Sequence, residues 1–441
     1  MQSLLFKATQ AFIVLWLLGC GPVAAQFKNI QLDSQGNGRP PTEPSITINF
    51  KNPDNVVGGS ILDNIYTSFD GGLTWEKSKQ KSTYGVYGDP VLLSDHKGNL
   101  YHLHLSDPEQ RGWASEKLLD RIVCQRSTDG GKTWNNGGYM GLAHPKDQDK
   151  EWAIADPKTG HLYATWTEFD LYDSKDPNDK SRILFARSKN GGKKWSRPIA
   201  ISQKEGDCID DDNTPEGAVP AVGPNGQIYV AWSYNDTIWF DRSTDQGKTW
   251  LANDVAASTH VGGWSIDIPG INRCNGMPVT LCDLSGGPNH GTIYINFADQ
   301  RNGTDDTDIW LVKSTDGGNT WSAPKRINDD APGRQQFLTW MAIDQTTGYL
   351  YTVFYDRRNH TGLDTDVYLA WSDDGGESFT NVQISQKPFE PTDVAFFGDY
   401  NNIAAHAGRI HPIWTRMVSA STSIWTTAIK HQQLVKLKNS Q

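Results

Sequence analysis

An eight-residue signature, Ser-x-Asp-Gly-Gly-x-Thr-Trp, constrains this chain more than any other feature. It occupies residues 68–75, 127–134 and 314–321, and with small changes residues 188–195 and 243–250. A sixth, degenerate copy, Ser-Asp-Asp-Gly-Gly-Glu-Ser-Phe, fills residues 372–379. Successive copies start 59, 61, 55, 71 and 58 residues apart. A period of that size marks an array of supersecondary units, each unable to bury its apolar face alone. Within a copy, the aspartate is placed to accept backbone N–H bonds across a turn. The glycines supply positive φ, and the tryptophan folds back onto its sheet. These aspartates are read as turn-makers and not as catalysts.

The surroundings of each copy repeat as well. A strand precedes it, at residues 64–68, 121–127, 182–188, 237–243, 308–314 and 366–372. Before that comes a Tyr-rich strand after a Gly turn, and before that an apolar first strand. Four short strands per unit make a propeller blade, so the chain is expected to be an all-β propeller. First strands begin near Pro44, Pro90, Trp152, Gly217, Gly276, Phe337 and Tyr400. Seven blades are therefore favoured, with six as the alternative. The seventh unit, through residues 409–414 and 423–429, lacks the signature. Its outer strand is expected from residues 27–33 or from residues 433–438, either of which would close the ring and hide its edges.

With 441 residues, the chain is too long for one ordinary core but normal for a propeller. Its net charge of −10 carries no basic run, which argues against nucleic acid as a partner. Lys7, the apolar run of residues 8–18, the break at Gly21-Pro22 and the small residues Val23-Ala24-Ala25 read as an export signal cleaved before Gln26. Residues 26–441 would then be a single propeller domain, secreted or periplasmic and monomeric. Leu17-Leu18-Gly19-Cys20 offers a competing reading, a surface lipoprotein anchored at Cys20. The run is too short to span a bilayer. Export permits disulfides, and one is expected among Cys208, Cys274 and Cys282, with the pairing open. Cys124 is expected to be simply buried.

The residues just before the first strands are Glu43, Asp89, Glu151, Glu216, Asn275, Gln336 and Asp399. In a propeller these positions form a ring at the channel mouth, on the face away from the signature turns. Such a ring can supply an acid and a base, hold Ca²⁺ through hard oxygen ligands, or merely cap the strands. Asp89, Glu151, Glu216 and Asp399 are the catalytic candidates; no cofactor is required. The turns between second and third strands carry Asp299-Gln300-Arg301-Asn302 and its echo Asp356-Arg357-Arg358-Asn359, with Arg416 in the last blade. Arginine beside aspartate suits a sugar carboxylate, or shapes its own turn. Of the 17 tryptophans, Trp75, Trp134, Trp195, Trp250 and Trp321 belong to signatures and Trp166, Trp232 and Trp414 end second strands, and most are read as core. Trp113, Trp152, Trp264 and Trp340 lie in or next to loops on the candidate face. Residues 259–277, which contain Trp264, form the longest insertion and are placed to overhang the mouth.

The six signatures resemble Asp-boxes, the bacterial neuraminidase repeats of sialidases and related glycoside hydrolases. The resemblance implies a substrate-binding arginine triad, for which Arg301, Arg358 and Arg416 are the candidates. It also implies a tyrosine nucleophile polarised by a glutamate, Glu151 or Glu216, and an acid, Asp89. Two departures stand against it: sialidases have a Phe/Tyr-Arg-Ile-Pro motif near their start, absent here, and six blades. The expected function is a secreted sialidase-like glycoside hydrolase acting on an anionic or sialylated glycan. The alternatives are a non-catalytic glycan- or protein-binding propeller and a polysaccharide lyase. Fold alone does not choose among them.

Overall fold

The computed structural model describes residues 27–34 and 39–440. Seven antiparallel sheets, each with at least four strands, stand around a central channel. Blade 1 runs outward through Ser45–Ile48, Val56–Ser60, Asn64–Ser68 and Glu76–Lys79. The inner strands of blades 2 to 7 are Val91–Ser94, Asp147–Ala155, Glu216–Val222, Val279–Cys282, Gln336–Asp344 and Asn402–His406. These inner strands line a mainly apolar channel of about 260 Å³ with residues such as Ile46, Leu92, Val219 and Ile403. Burial of both sheet faces between neighbouring blades explains why strands such as Ile228–Tyr234 and Asp366–Ser372 are buried almost throughout.

Seven is thus the blade number. The ring is closed by the chain's first described strand, Asn29–Ser34, which pairs with Ser421–Thr427 as the outer strand of blade 7. The other candidate for that place, residues 433–438, lies in a helix, His431–Lys438. Leu434 is buried there, with Val435 and Leu437 packed against the core, a helical spacing and not an alternating one.

The signature turns lock blade to blade. In blade 1, Ser68 Oγ accepts from Gly72 N (2.9 Å) and donates to Asp70 Oδ1 (2.9 Å). Asp70 in turn accepts from Leu73 N, Thr74 N and Thr74 Oγ1. Trp75 Nε1 donates to Gly72 O at 3.1 Å. The second glycine of each turn lies flat against the preceding blade. A Cβ on Gly247 would overlap Phe185 of blade 3, and one on Gly318 would overlap Phe240 of blade 4. Blade 7 has no signature, and the helix takes over the contact with blade 6. There Tyr351 and His431 Nδ1 are 3.0 Å apart, Trp371 meets the His431 ring edge-on, and Lys438 lies over Trp371.

The expected disulfide is not formed: Cys124, Cys208, Cys274 and Cys282 are all free and buried. Cys274 belongs to the large core cluster near the channel mouth, whereas Cys282 packs among Tyr229, Phe297 and Trp310 in a separate one. The first strand of blade 5 separates the two, and burial pushes all four thiols up. The export signal and Cys20 lie outside the described residues. Among the described residues, no helix is long and apolar enough to cross a membrane.

Candidate active site

The channel mouth opposite the signature turns is built on distorted backbone. Glu43 (φ 53°), Asp89 (47°), Lys150 (55°), Gly217 (71°) and Leu338 (46°) all take left-handed conformations at the starts of inner strands. In blades 3, 4 and 6 the ladder slips there, between Asp149 and Trp152, Glu216 and Val219, and Phe337 and Trp340. Such bulges re-aim side chains, and left-handed non-glycine residues persist only where the surroundings enforce them. The result is that side chains which would point into sheet faces are turned into the mouth.

Two cations organise the carboxylates gathered there. Lys150 Nζ lies 2.8 Å from Asp399, 3.9 Å from Asp149 and 4.0 Å from Asp89. Arg273 binds Asp399 with Nε (2.8 Å) and Nη2, and Asp210 with Nη1 (3.0 Å). Tyr172 donates to the same Asp210 oxygen at 2.7 Å. Asn275 Nδ2 donates to the Asp399 carbonyl (2.8 Å), and Asp399 N donates to Glu43 (3.3 Å). Trp152 and Trp340, which line the channel, pack at 4.1 Å with Tyr400 beside them.

Burial sets the protonation of this cluster. Desolvation, then the neighbouring carboxylates, raises Glu43 and Glu151 well above the usual range, and Glu216 likewise. Burial pushes Asp149 up to about 6, with Lys150 opposing and Asp89 adding to the rise. Burial also works against Asp399, but Arg273 and Lys150 outweigh it and hold that carboxyl low. Several polar atoms find no partner: both carboxyl oxygens of Glu151 and of Glu216, one each of Asp89 and Asp210, and the Tyr400 hydroxyl. Buried polar groups are ordinarily satisfied, so a cluster of orphans on one face marks a place for ligand or water.

A cavity of about 490 Å³ opens on this cluster, lined by Asp89, Asp149, Lys150, Tyr172, Arg273 and Trp113 among others. Of the four catalytic candidates from sequence, Asp89 reaches the cavity wall. Glu151, Glu216 and Asp399 lie in the buried layer beneath it. Gln336 turns away and binds Asp330 and Asp356 between blades 5 and 6. Sequence reasoning did not single out Asp149, Lys150, Asp210, Tyr172 or Arg273. Two signals pointed to three of them: Arg273 sits in the long 259–277 insertion, and Asp149 and Lys150 immediately precede Glu151.

The three arginines chosen as a triad do not meet. Arg301 doubles back onto Asp299 (Nε to Oδ1 2.8 Å) and stacks on Trp310. Arg358 does the same with Asp356 (2.8 Å) and Tyr368. Arg416 donates to Pro388 O (2.8 Å) beside Trp425. Asp299 and Asp356 end their strands fully buried, and each needs a counter-charge that the arginine two residues on provides. Trp264 is buried against Gly217 and is not an open stacking face. Trp113 is one: it is 66% exposed, 5.5 Å from Tyr172 and 6.4 Å from Tyr87. Among the described residues, no group of three or more His, Cys, Asp or Glu is arranged to hold a metal ion.

The six signature turns and seven closed blades define a BNR/Asp-box β-propeller of sialidase-like architecture. The BNR/Asp-box repeat model matches residues 66–77 and 125–136. A sialidase of Bacteroides fragilis is 24% identical over 312 residues, 64% of this chain and 52% of that protein, so the chain spans about half the length of this curated relative. An α-L-arabinofuranosidase of Fusarium graminearum superposes with a TM-score of 0.53 at 14% identity, covering 93% of this chain and 99% of that one. An ulvan lyase superposes with a TM-score of 0.52 at 12% identity, over 90% and 95%. At these identities the solved structures establish the architecture and leave the reaction open.

Proposed function

We propose that this chain is an exported glycoside hydrolase that cleaves an anionic glycan at the channel mouth. The observation that carries the reading is the set of buried carboxylates with unpartnered oxygens beneath and beside an open, aromatic-rimmed cavity. Asp149, lifted to about 6, keeps its proton up to mildly acidic pH and is the candidate general acid. Asp89, which lines the same cavity and has one carboxyl oxygen without a hydrogen-bond partner, is the candidate partner, as nucleophile or as base for water. Glu151 and Glu216 stay protonated below them and limit the negative charge of the site. Asp399 keeps Lys150 and Arg273 in place. Arg273, partly open to solvent, is the cation that meets a substrate carboxylate or sulfate. The name and likeness of the Bacteroides fragilis sialidase support a glycan substrate.

A second reading, a polysaccharide lyase, draws on one detail: Tyr172 and Arg273 meet on Asp210, so a hydroxyl proton donor and a charge neutraliser stand together. One assay separates the two. Purified residues 26–441 are incubated with sialyllactose, a polyuronate and arabinan, and reducing ends, free sialic acid and unsaturated uronate are followed. Hydrolysis yields saturated products and is lost in Asp149→Asn; elimination yields an ultraviolet-absorbing double bond. Neither product from any substrate would leave a binding propeller.

A further inference from the structure

The mouth cavity is not a closed end. Arg39, Leu62 and Tyr87 line it and also line a larger groove of about 920 Å³ that runs outward along the seam between blades 1 and 2. Each of the two spaces alone has the size of an ordinary ligand site. The aromatic rings stand along the junction: Tyr87 lies in both walls, and the exposed Trp113 packs edge-on against it. The groove's charges are uneven. Its Asp63 is bound by Lys79. Its Asp107 accepts from the backbone N–H groups of Arg111 and Gly112. Among the described residues, Arg39 donates its side-chain hydrogen bond to the Tyr87 hydroxyl and lies over that ring, and neither it nor Lys81 has a carboxylate partner. Two free cations and an aromatic platform therefore face a groove whose acids are already occupied.

We infer that this groove holds further units of an extended anionic polysaccharide, so that the protein acts on, or along, a polymer and not on a terminal sugar alone. The inference rests on the glycan reading of the mouth and specifies its substrate. Arg39 and Lys81 meet carboxylate or sulfate groups on successive units, and Tyr87 with Trp113 stacks against sugar faces where the chain turns into the mouth.

Affinity electrophoresis tests this without requiring turnover. Asp149→Asn protein is run through gels containing polygalacturonate, a sulfated ulvan, neutral arabinan, or no polymer. A protein of net charge −10 has no general attraction to polyanions, so retardation reports a site. The expected result is retardation by one or both anionic polymers and not by arabinan. It falls at least about tenfold in apparent affinity in the Arg39→Ala/Lys81→Ala double variant and in Trp113→Ala. The free monosaccharide is expected to compete poorly. Equal retardation by arabinan, retardation unchanged in both variants, or no retardation by either anionic polymer would overturn the inference. Both substituted cations are on the surface, and an unchanged unfolding midpoint confirms that the double variant folds. Turnover of sialyllactose without polymer retention would leave the hydrolase standing and remove the groove. Polymer retention without turnover would do the reverse.

Discussion

At the residue scale, the mouth is a set of buried charges whose balance can be disturbed one group at a time. Asp399 neutralises both Lys150 and Arg273, and all three are far from bulk water on at least one side. Asp399→Asn leaves two cations facing only the weaker partners Asp149, Asp89 and Asp210. Unfolding in denaturant should show a loss of about 3–5 kcal/mol, the usual cost of breaking a buried pair. The raised carboxyls act in the opposite sense. Glu43, Asp149, Glu151 and Glu216 bind protons more tightly folded than unfolded. Their contribution to stability is complete below the unfolded values near 4 and declines as pH rises toward the folded ones. The thermal midpoint should therefore fall as pH rises above about 4, through the Asp149 value of about 6 and beyond it, and Glu216→Gln, neutral throughout, should flatten that decline. In the same range kcat/KM should drop above about pH 6 as Asp149 loses its proton, and Asp149→Asn should cost roughly 10²–10⁴ in rate.

At the scale of elements, the signature turn is both a hairpin and a clasp. Asp245→Ala removes four acceptor bonds within the turn of blade 4 and should cost about 1–2 kcal/mol. Gly247→Ala adds left-handed strain (φ 78°) and overlap with Phe185, and should cost about 2 kcal/mol or more. Both changes lie on the face away from the mouth, so activity per folded molecule should be unaltered. The roles of turn and ring were legible because both repeat: the turn recurs as a signature, and Glu43, Asp89, Glu151, Glu216 and Asp399 recur at one position relative to each inner strand. What could not be read was pairing between blades. Arg273 and Asp399 are 126 residues apart and meet only because the ring closes. Lys150 reaches Asp399 through a bulge that no local preference marks. The arginine triad failed to form for a local reason, since Arg301 and Arg358 each serve an aspartate two residues earlier.

At the scale of the whole molecule, closure decides stability. Asn29–Ser34 gives blade 7 its outer strand and ties the start of the chain to its last blade, with Lys77 of blade 1 bound to Asp33. Deleting residues 27–34 would expose the edge of Ser421–Thr427 and loosen blade 7 against blade 1. Such a protein should unfold many degrees lower and should self-associate in size-exclusion chromatography, whereas trimming the last two residues should change neither. The closed ring in turn fixes the mouth, because the strands presenting Glu43 and Asp399 belong to blades 1 and 7, which meet at the seam.

We propose that the mouth carboxylates perform chemistry on a glycan. The most direct test is product release from a polyuronate and from sialyllactose by residues 26–441, alongside Asp89→Asn and Asp149→Asn. Saturated reducing ends are expected from at least one substrate, with each variant folded yet slowed by about 10² or more. Unchanged turnover in both folded variants, or binding of these glycans with no product at all, would contradict it.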